Sequence, residues 1–127
     1  MMKMGLTAGA EVIPKPKGDI AKKGNITTTA DYADVTGTAY TVTKDKRFQL
    51  TKIVLACKED SMAKIMFGTT QIGPEYYIMG KTTLTDWFPK NYRLDELIGD
   101  GSKQIRIQAK YVTTAGDLQA ELVGEEV

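Results

Sequence analysis

The chain has the length of one domain, 127 residues, and its 42% apolar and 26% charged residues are ordinary for a globular protein, which excludes a disordered chain. A net charge of +1 sets up no field that would draw in nucleic acid, and no apolar run approaches the ~18 residues of a membrane span. A single cysteine rules out a disulfide framework within the chain, and the lack of histidine removes a Ser-His-Asp triad, a Cys-His pair and any imidazole-ligated metal site.

The first 25 residues stand apart from the rest. Lys3, Lys15, Lys17, Lys22 and Lys23 against Glu11 and Asp19 give them +3, whereas the other 12 basic and 14 acidic residues give −2. Pro14 and Pro16, in Ile13-Pro14-Lys15-Pro16-Lys17-Gly18, hold the backbone extended and deny it a helix. Residues 1–25 therefore read as a basic arm able to order on a partner, with Pro14, Lys15, Pro16, Lys17, Lys22 and Lys23 as its candidate contact residues. No secretory signal is legible before Glu11 and Pro14, so the chain is expected to be soluble where it is made.

Residues 26–127 read as the folded domain, a run of strand, turn and strand. Ile26–Ala30 and Ala39–Thr43 carry the Thr, Ile, Tyr and Val that suit a pleated surface, with turn chemistry at Gly37 between them and at Lys44-Asp45-Lys46 after them. In Phe48–Cys57 the apolar phase changes: Phe48 and Leu50 fall on one parity, Ile53, Leu55 and Cys57 on the other. Either the middle of that strand is covered on both faces or a bulge shifts it near Thr51 and Lys52, and both outcomes place it centrally. Cys57 itself reads as a buried thiol behaving as a small hydrophobe. Ala63–Phe67, Tyr76–Met79 and Thr83–Phe88 follow, punctuated by Glu59-Asp60-Ser61, Gly73-Pro74, Gly80 and Pro89.

Tyr92–Ile98 is the one stretch suited to a helical turn, closed by Gly99-Asp100-Gly101. Gln104–Tyr111 then alternates polar and apolar without a break, and Leu118–Leu122 repeats the pattern. Ala115-Gly116-Asp117 between these two predicts a hairpin. About eight short strands and no long helix predict an all-β fold, a single jelly-roll-like β-sandwich with an extended N-terminal arm.

Catalytic chemistry finds little footing. No glycine-rich phosphate loop is present, and Asp95, Glu96 and Asp100, though clustered before a glycine, lack the spacing of a calcium loop and read as a solvated turn. No enzyme activity, metal or cofactor is expected. Tyr76 and Tyr77 are adjacent and must point to opposite faces of a strand, so one of them faces outward. Trp87 and Phe88 read first as core and edge packing. Tyr76, Tyr77, Trp87 and Tyr92 are the candidate exposed aromatic contacts, of the kind that stack on sugars or fill a partner's pocket.

Arg47-Phe48-Gln49-Leu50-Thr51-Lys52-Ile53-Val54-Leu55 resembles a strand of small phage virion proteins, the jelly-roll or β-sandwich subunits that decorate a capsid or sit on tail structures. Asp86-Trp87-Phe88-Pro89, the segment Gly99–Ile107 and the closing Leu118–Glu126 occur in similar order in such proteins. The resemblance spans roughly residues 38–126 and leaves the basic arm unmatched. It implies a non-enzymatic structural role in a virion, with the protein made in the host cytoplasm. The expected partners are a major capsid or tail protein and other copies of the chain, in a trimer. A receptor- or carbohydrate-binding module of a tail or fibre is the alternative, and it requires an exposed aromatic platform.

Overall fold

Period-two alternation of buried and exposed residues runs through almost every element of a computed structural model that describes residues 19–127. Among these residues nine strands form: β1 (Asp19–Thr27), β2 (Ala33–Asp34), β3 (Tyr40–Thr41), β4 (Phe48–Cys57), β5 (Ser61–Phe67), β6 (Thr70–Ile78), β7 (Thr82–Trp87), β8 (Gln104–Tyr111) and β9 (Asp117–Glu126). A single 3-10 turn, Leu94–Glu96, falls in the stretch that invited one.

The strands make two antiparallel sheets, ordered β1-β9-β4-β7 and β2-β8-β5-β6. β3 joins the second sheet beside β2, because both pair with β8: Ala33 opposite Ala109, then Tyr40 opposite Ile105. The two are halves of one edge strand, interrupted where Val35–Ala39 bows away. Thr38 mends the gap, since its buried hydroxyl accepts from the Ile107 amide at 3.1 Å and donates to the Val35 carbonyl at 2.8 Å.

Counted this way, eight strand positions alternate between the sheets, and only the β2–β3 interruption and the β5–β6 hairpin stay within one sheet. That winding is the jelly roll. The inner faces interdigitate Phe48, Leu50, Ile53, Leu55, Leu118 and Leu122 of the first sheet with Ile65, Ile72, Ile78, Ile105 and Ile107 of the second, all at most 1% exposed.

Several expectations are corrected by this arrangement. β8 and β9 do not form a hairpin, because β9 pairs with β1 and β4 while β8 pairs with β5, β2 and β3. Alternation marks a strand but says nothing of its partner, and residues 112–116 carry the chain from one sheet to the other. Gly73-Pro74 is no turn but a bulge inside β6, where residues 73–75 stand between the pairs Ile65–Ile72 and Ala63–Tyr76. Proline is tolerated there because β6 is an edge strand. The hairpin turn is Gly68-Thr69, whose glycine takes a φ of 60° as the first position of a type II′ turn requires. In Phe48–Cys57 the bulge is real: the register with β9 slips at Thr51, between the pairs Leu50–Gly124 and Lys52–Val123.

β1 is the element that the sequence discloses only at its end, where the expected strand Ile26–Ala30 overlaps it at Ile26 and Thr27. Residues 19–25, grouped above with the basic arm, pair in unbroken register with β9 from Asp19–Glu125 to Thr27–Asp117. Its inward positions are Ile20, Lys22, Gly24 and Ile26, so only half of them are apolar. The loop at Thr36-Gly37 crowds against β1 here, and a methyl group on Gly24 would overlap the Thr36 carbonyl oxygen. Lys22 lays its ammonium 5.8 Å from the Tyr40 ring centre instead of entering the core.

Gly24→Ala should therefore destabilise the domain by about 2–3 kcal/mol through overpacking, whereas Asn25→Ala, on the exposed side of the same strand, should change it by less than about 0.5 kcal/mol. Urea unfolding of the two variants beside the parent checks this.

Candidate interaction surfaces

Two outer faces, two open sides and two loop ends are what the sandwich offers to a partner. On the first sheet, the outward residues of the four strands align into rows. Ala21, Val123, Lys52 and Trp87 form one row, Lys23, Glu121, Val54 and Thr85 the next, and Asn25, Gln119, Ala56 and Thr83 a third. Trp87 is 64% exposed at the β7 edge, with the Lys52 ammonium 4.9 Å from its ring centre.

The outer face of the second sheet is crossed by Tyr32. Its ring lies under two ammonium groups, Lys64 at 4.2 Å and Lys110 at 5.0 Å, and its hydroxyl donates to the Glu75 carboxylate on β6. Burial, and then that bond to Glu75, pushes the phenol well above its ordinary value. Beside it Asp34 accepts from Arg106 and from Gln108, both at 2.9 Å. Burial raises the Asp34 carboxyl, but these two bonds outweigh it and the net shift is downward.

Each open side of the sandwich is closed by a tyrosine that donates to a carboxylate on the facing sheet. On the side of β1 and β3, the Tyr40 hydroxyl reaches Glu126 of β9 at 2.7 Å, and the same carboxylate accepts from the Thr43 amide at 2.8 Å. Between β6 and β7, the Tyr76 hydroxyl reaches Asp86 at 2.6 Å. Tyr92 sets its ring 4.8 Å from that of Phe88, tilted by 42°, and Gly73 leaves room for the Tyr92 hydroxyl. Burial, and then the carboxylate in front of each, raises both phenols, Tyr40 and Tyr76.

At one end of the sandwich the turns at 58–60 and 79–81 pack on each other and on residues 112–116. Asp60 organises them: its carboxylate accepts from the Tyr77 hydroxyl at 2.8 Å and the Gly80 amide at 2.7 Å, and its carbonyl accepts from the Val112 amide. Those bonds, the Gly80 amide first, hold the Asp60 carboxyl below its usual range. Tyr77, Met79 and Val112, on the three segments that Asp60 ties together, are 50%, 62% and 45% exposed, three apolar side chains carried on one braced loop end.

The four aromatic residues singled out from sequence are thus not brought together. Tyr77 and Trp87 point outward from different sheets, while Tyr76 and Tyr92 turn inward and close a side. No single platform contains them. Lys22 and Lys23 lie in β1, one inward and one outward, and Pro14, Lys15, Pro16 and Lys17 fall outside the described residues. Tyr32, Met79 and Val112 are contacts the sequence does not single out, since each sits in a loop or at the end of a strand, where alternation stops and no longer tells which side chain is exposed.

Among the described residues no group of three or more His, Cys, Asp or Glu could hold a metal ion. Cys57 is buried with its sulfur 3.6 Å from the Ile78 carbonyl and 3.5 Å from that of Met79, and burial raises its thiol, the opposite of what a nucleophile needs.

No family model matches the chain, and no curated protein matches it. Among solved structures, the coat protein of Tobacco streak virus in a C2 crystal form is similar at a TM-score of 0.36 and 11% identity, over 91% of this chain and 91% of that one. A dimer of the same virus's coat protein is similar at a TM-score of 0.36 and 16% identity, over 90% of each chain.

Tyrosine closure has a pH signature. A phenol whose folded value lies above its ordinary 10.0 stabilises the fold below that pH, and the contribution is lost as pH rises through the folded value. Tyr76→Phe should cost about 1–2 kcal/mol at neutral pH, and the gap to the parent should shrink steadily above pH 10. Thermal melts from pH 7 upward measure that gap.

Proposed function

We propose that this protein is a non-enzymatic structural component of a virion, a jelly-roll subunit that decorates or cements a capsid by packing against a larger shell protein and against copies of itself. The strand order is the observation that supports this most. Jelly rolls serve as capsid subunits, as lectins and as cupins. Metal chemistry on such a scaffold rests largely on imidazole ligands, and this chain has no histidine. A lectin reading by way of the aromatic residues loses its platform, because Tyr77 and Trp87 stand on different sheets.

A packing role uses what is left exposed. Tyr77, Met79 and Val112 are apolar contacts carried on one braced end, with the aromatic and methionine chemistry that protein interfaces favour. The residues before Asp19, including Pro14, Lys15, Pro16 and Lys17, serve as the tether in this reading. β1 begins opposite Glu125, so the tether departs from the end of the sandwich away from the Asp60 loop end. One end is then free to meet neighbouring copies in a closed ring, a trimer, while the other holds the shell.

Sedimentation velocity on the full chain tests the self-association. The expected species is a trimer of 14.0 kDa chains, shifted toward monomer by Met79→Glu, which adds a charge to that loop end without touching the core. A species of one chain up to roughly millimolar concentration, the local concentration that tethering on a shell supplies, would contradict the proposal.

A further inference from the structure

On the outer face of the first sheet lies a hollow of about 330 Å³, lined by Lys23, Asn25, Val54, Ala56, Gln119 and Glu121. Register creates it. Asn25, Gln119 and Ala56 stand abreast in one row, and Lys23, Glu121 and Val54 in the next, so that the long polar side chains of β1 and β9 rise beside the short ones of β4. All six alternate outward from the core, on the face opposite the packed interior.

We infer that this hollow binds a small, uncharged, polyhydroxylated ligand, one or a few sugar rings of a glycan. Three properties of the lining carry the inference. One ammonium and one carboxylate balance, which disfavours an anion or a cation as the occupant. Asn25 and Gln119 each present a carbonyl acceptor and an amino donor, the pairing that a ring of hydroxyl groups satisfies. Val54 and Ala56 supply a short apolar floor against which the C–H face of a sugar rests.

An apolar side chain from a neighbouring copy fits poorly, because seating it would strip water from Lys23, Asn25, Gln119 and Glu121 and give them no partners. The volume sits at the lower bound of small-molecule sites, roughly 300–1,000 Å³, which suits a ligand of one or two rings. None of the aromatic residues proposed from sequence lines the hollow, so the site stands apart from the platform that the structure does not form. Glycan binding goes beyond the structural role proposed above and is tested separately from it.

The test is a titration of the isotope-labelled full chain with maltotriose and, in parallel, with chitotriose, read by amide chemical shifts. The expected result is a saturable shift with one of the two sugars, confined to residues 23–25, 54–56 and 119–121, with a dissociation constant of about 1 mM for so open a site. Ala56→Arg, which fills the hollow from an outward position, should weaken binding at least about tenfold while leaving the rest of the spectrum in place. Gln119→Ala should weaken it too, without adding bulk. Overturning results are no saturable shift with either sugar, shifts that survive Ala56→Arg, or shifts of these amides that follow protein concentration without sugar, which would assign the hollow to a second copy.

Discussion

β9 is the strand that holds the first sheet together, and the sandwich closes only when it is in place. It runs between β1 and β4 with two complete ladders, so the Leu122 backbone faces Lys22 on one side and Ile53 on the other. Its inward residues, Leu118, Ala120, Leu122 and Gly124, are buried without exception. Pairing Asp19 with Glu125 joins segments near opposite ends of the chain, and such long-range closure gains nothing until most of the sandwich is in place. The fold is therefore cooperative by construction. Gly124 is part of that constraint, since a side chain there would run into the Phe48 ring where β4 bulges at Thr51.

Closing the sandwich laterally takes a different kind of interaction. At the β1 side the space is filled by backbone, with the Thr36-Gly37 loop pressed on Gly24, and by Tyr40 reaching Glu126. At the β7 side Tyr76 reaches Asp86, and Phe88 packs against the tilted ring of Tyr92. These half-buried hydroxyl–carboxylate bonds let the rim of a small sandwich meet water without leaving polar groups unpaired. They also leave the outer faces and the two loop ends as the surfaces open to partners.

How legible was this in the sequence? Gln104–Tyr111 and Phe48–Cys57 stand at the limits expected of them, the latter with its phase change at Thr51, whereas Leu118–Leu122 marks only the first half of β9, whose pattern fades at Gly124. β1 ahead of Ile26 was hidden because Lys22 and Gly24 occupy two of its inward positions, and what covers them is a loop that only the tertiary structure brings there. β6 was cut short because Gly73-Pro74 has turn chemistry, yet an edge strand accommodates the pair as a bulge. Pairing was the deeper gap. Alternation fixes which side of a strand is wet, but the choice between a β8–β9 hairpin and a crossing between sheets depends on contacts that no local pattern encodes. For the surfaces, adjacency separated Tyr76 from Tyr77 correctly in principle, with Tyr77 outward and Tyr76 turned to Asp86. The exposure of Trp87 follows from its parity in β7, where Leu84 and Asp86 take the inward positions.

The functional reading rests on the jelly-roll winding, and the winding rests on β8 and β9 lying in different sheets. Backbone proton contacts measured by NMR on the labelled full chain address this directly. The account predicts contacts of Leu122 with Ile53 and with Lys22, and of Ile107 with Ile65. A ladder of contacts between Gln104–Tyr111 and Asp117–Glu126 would instead make the chain a meander, and both the sandwich topology and the virion role argued from it would fall.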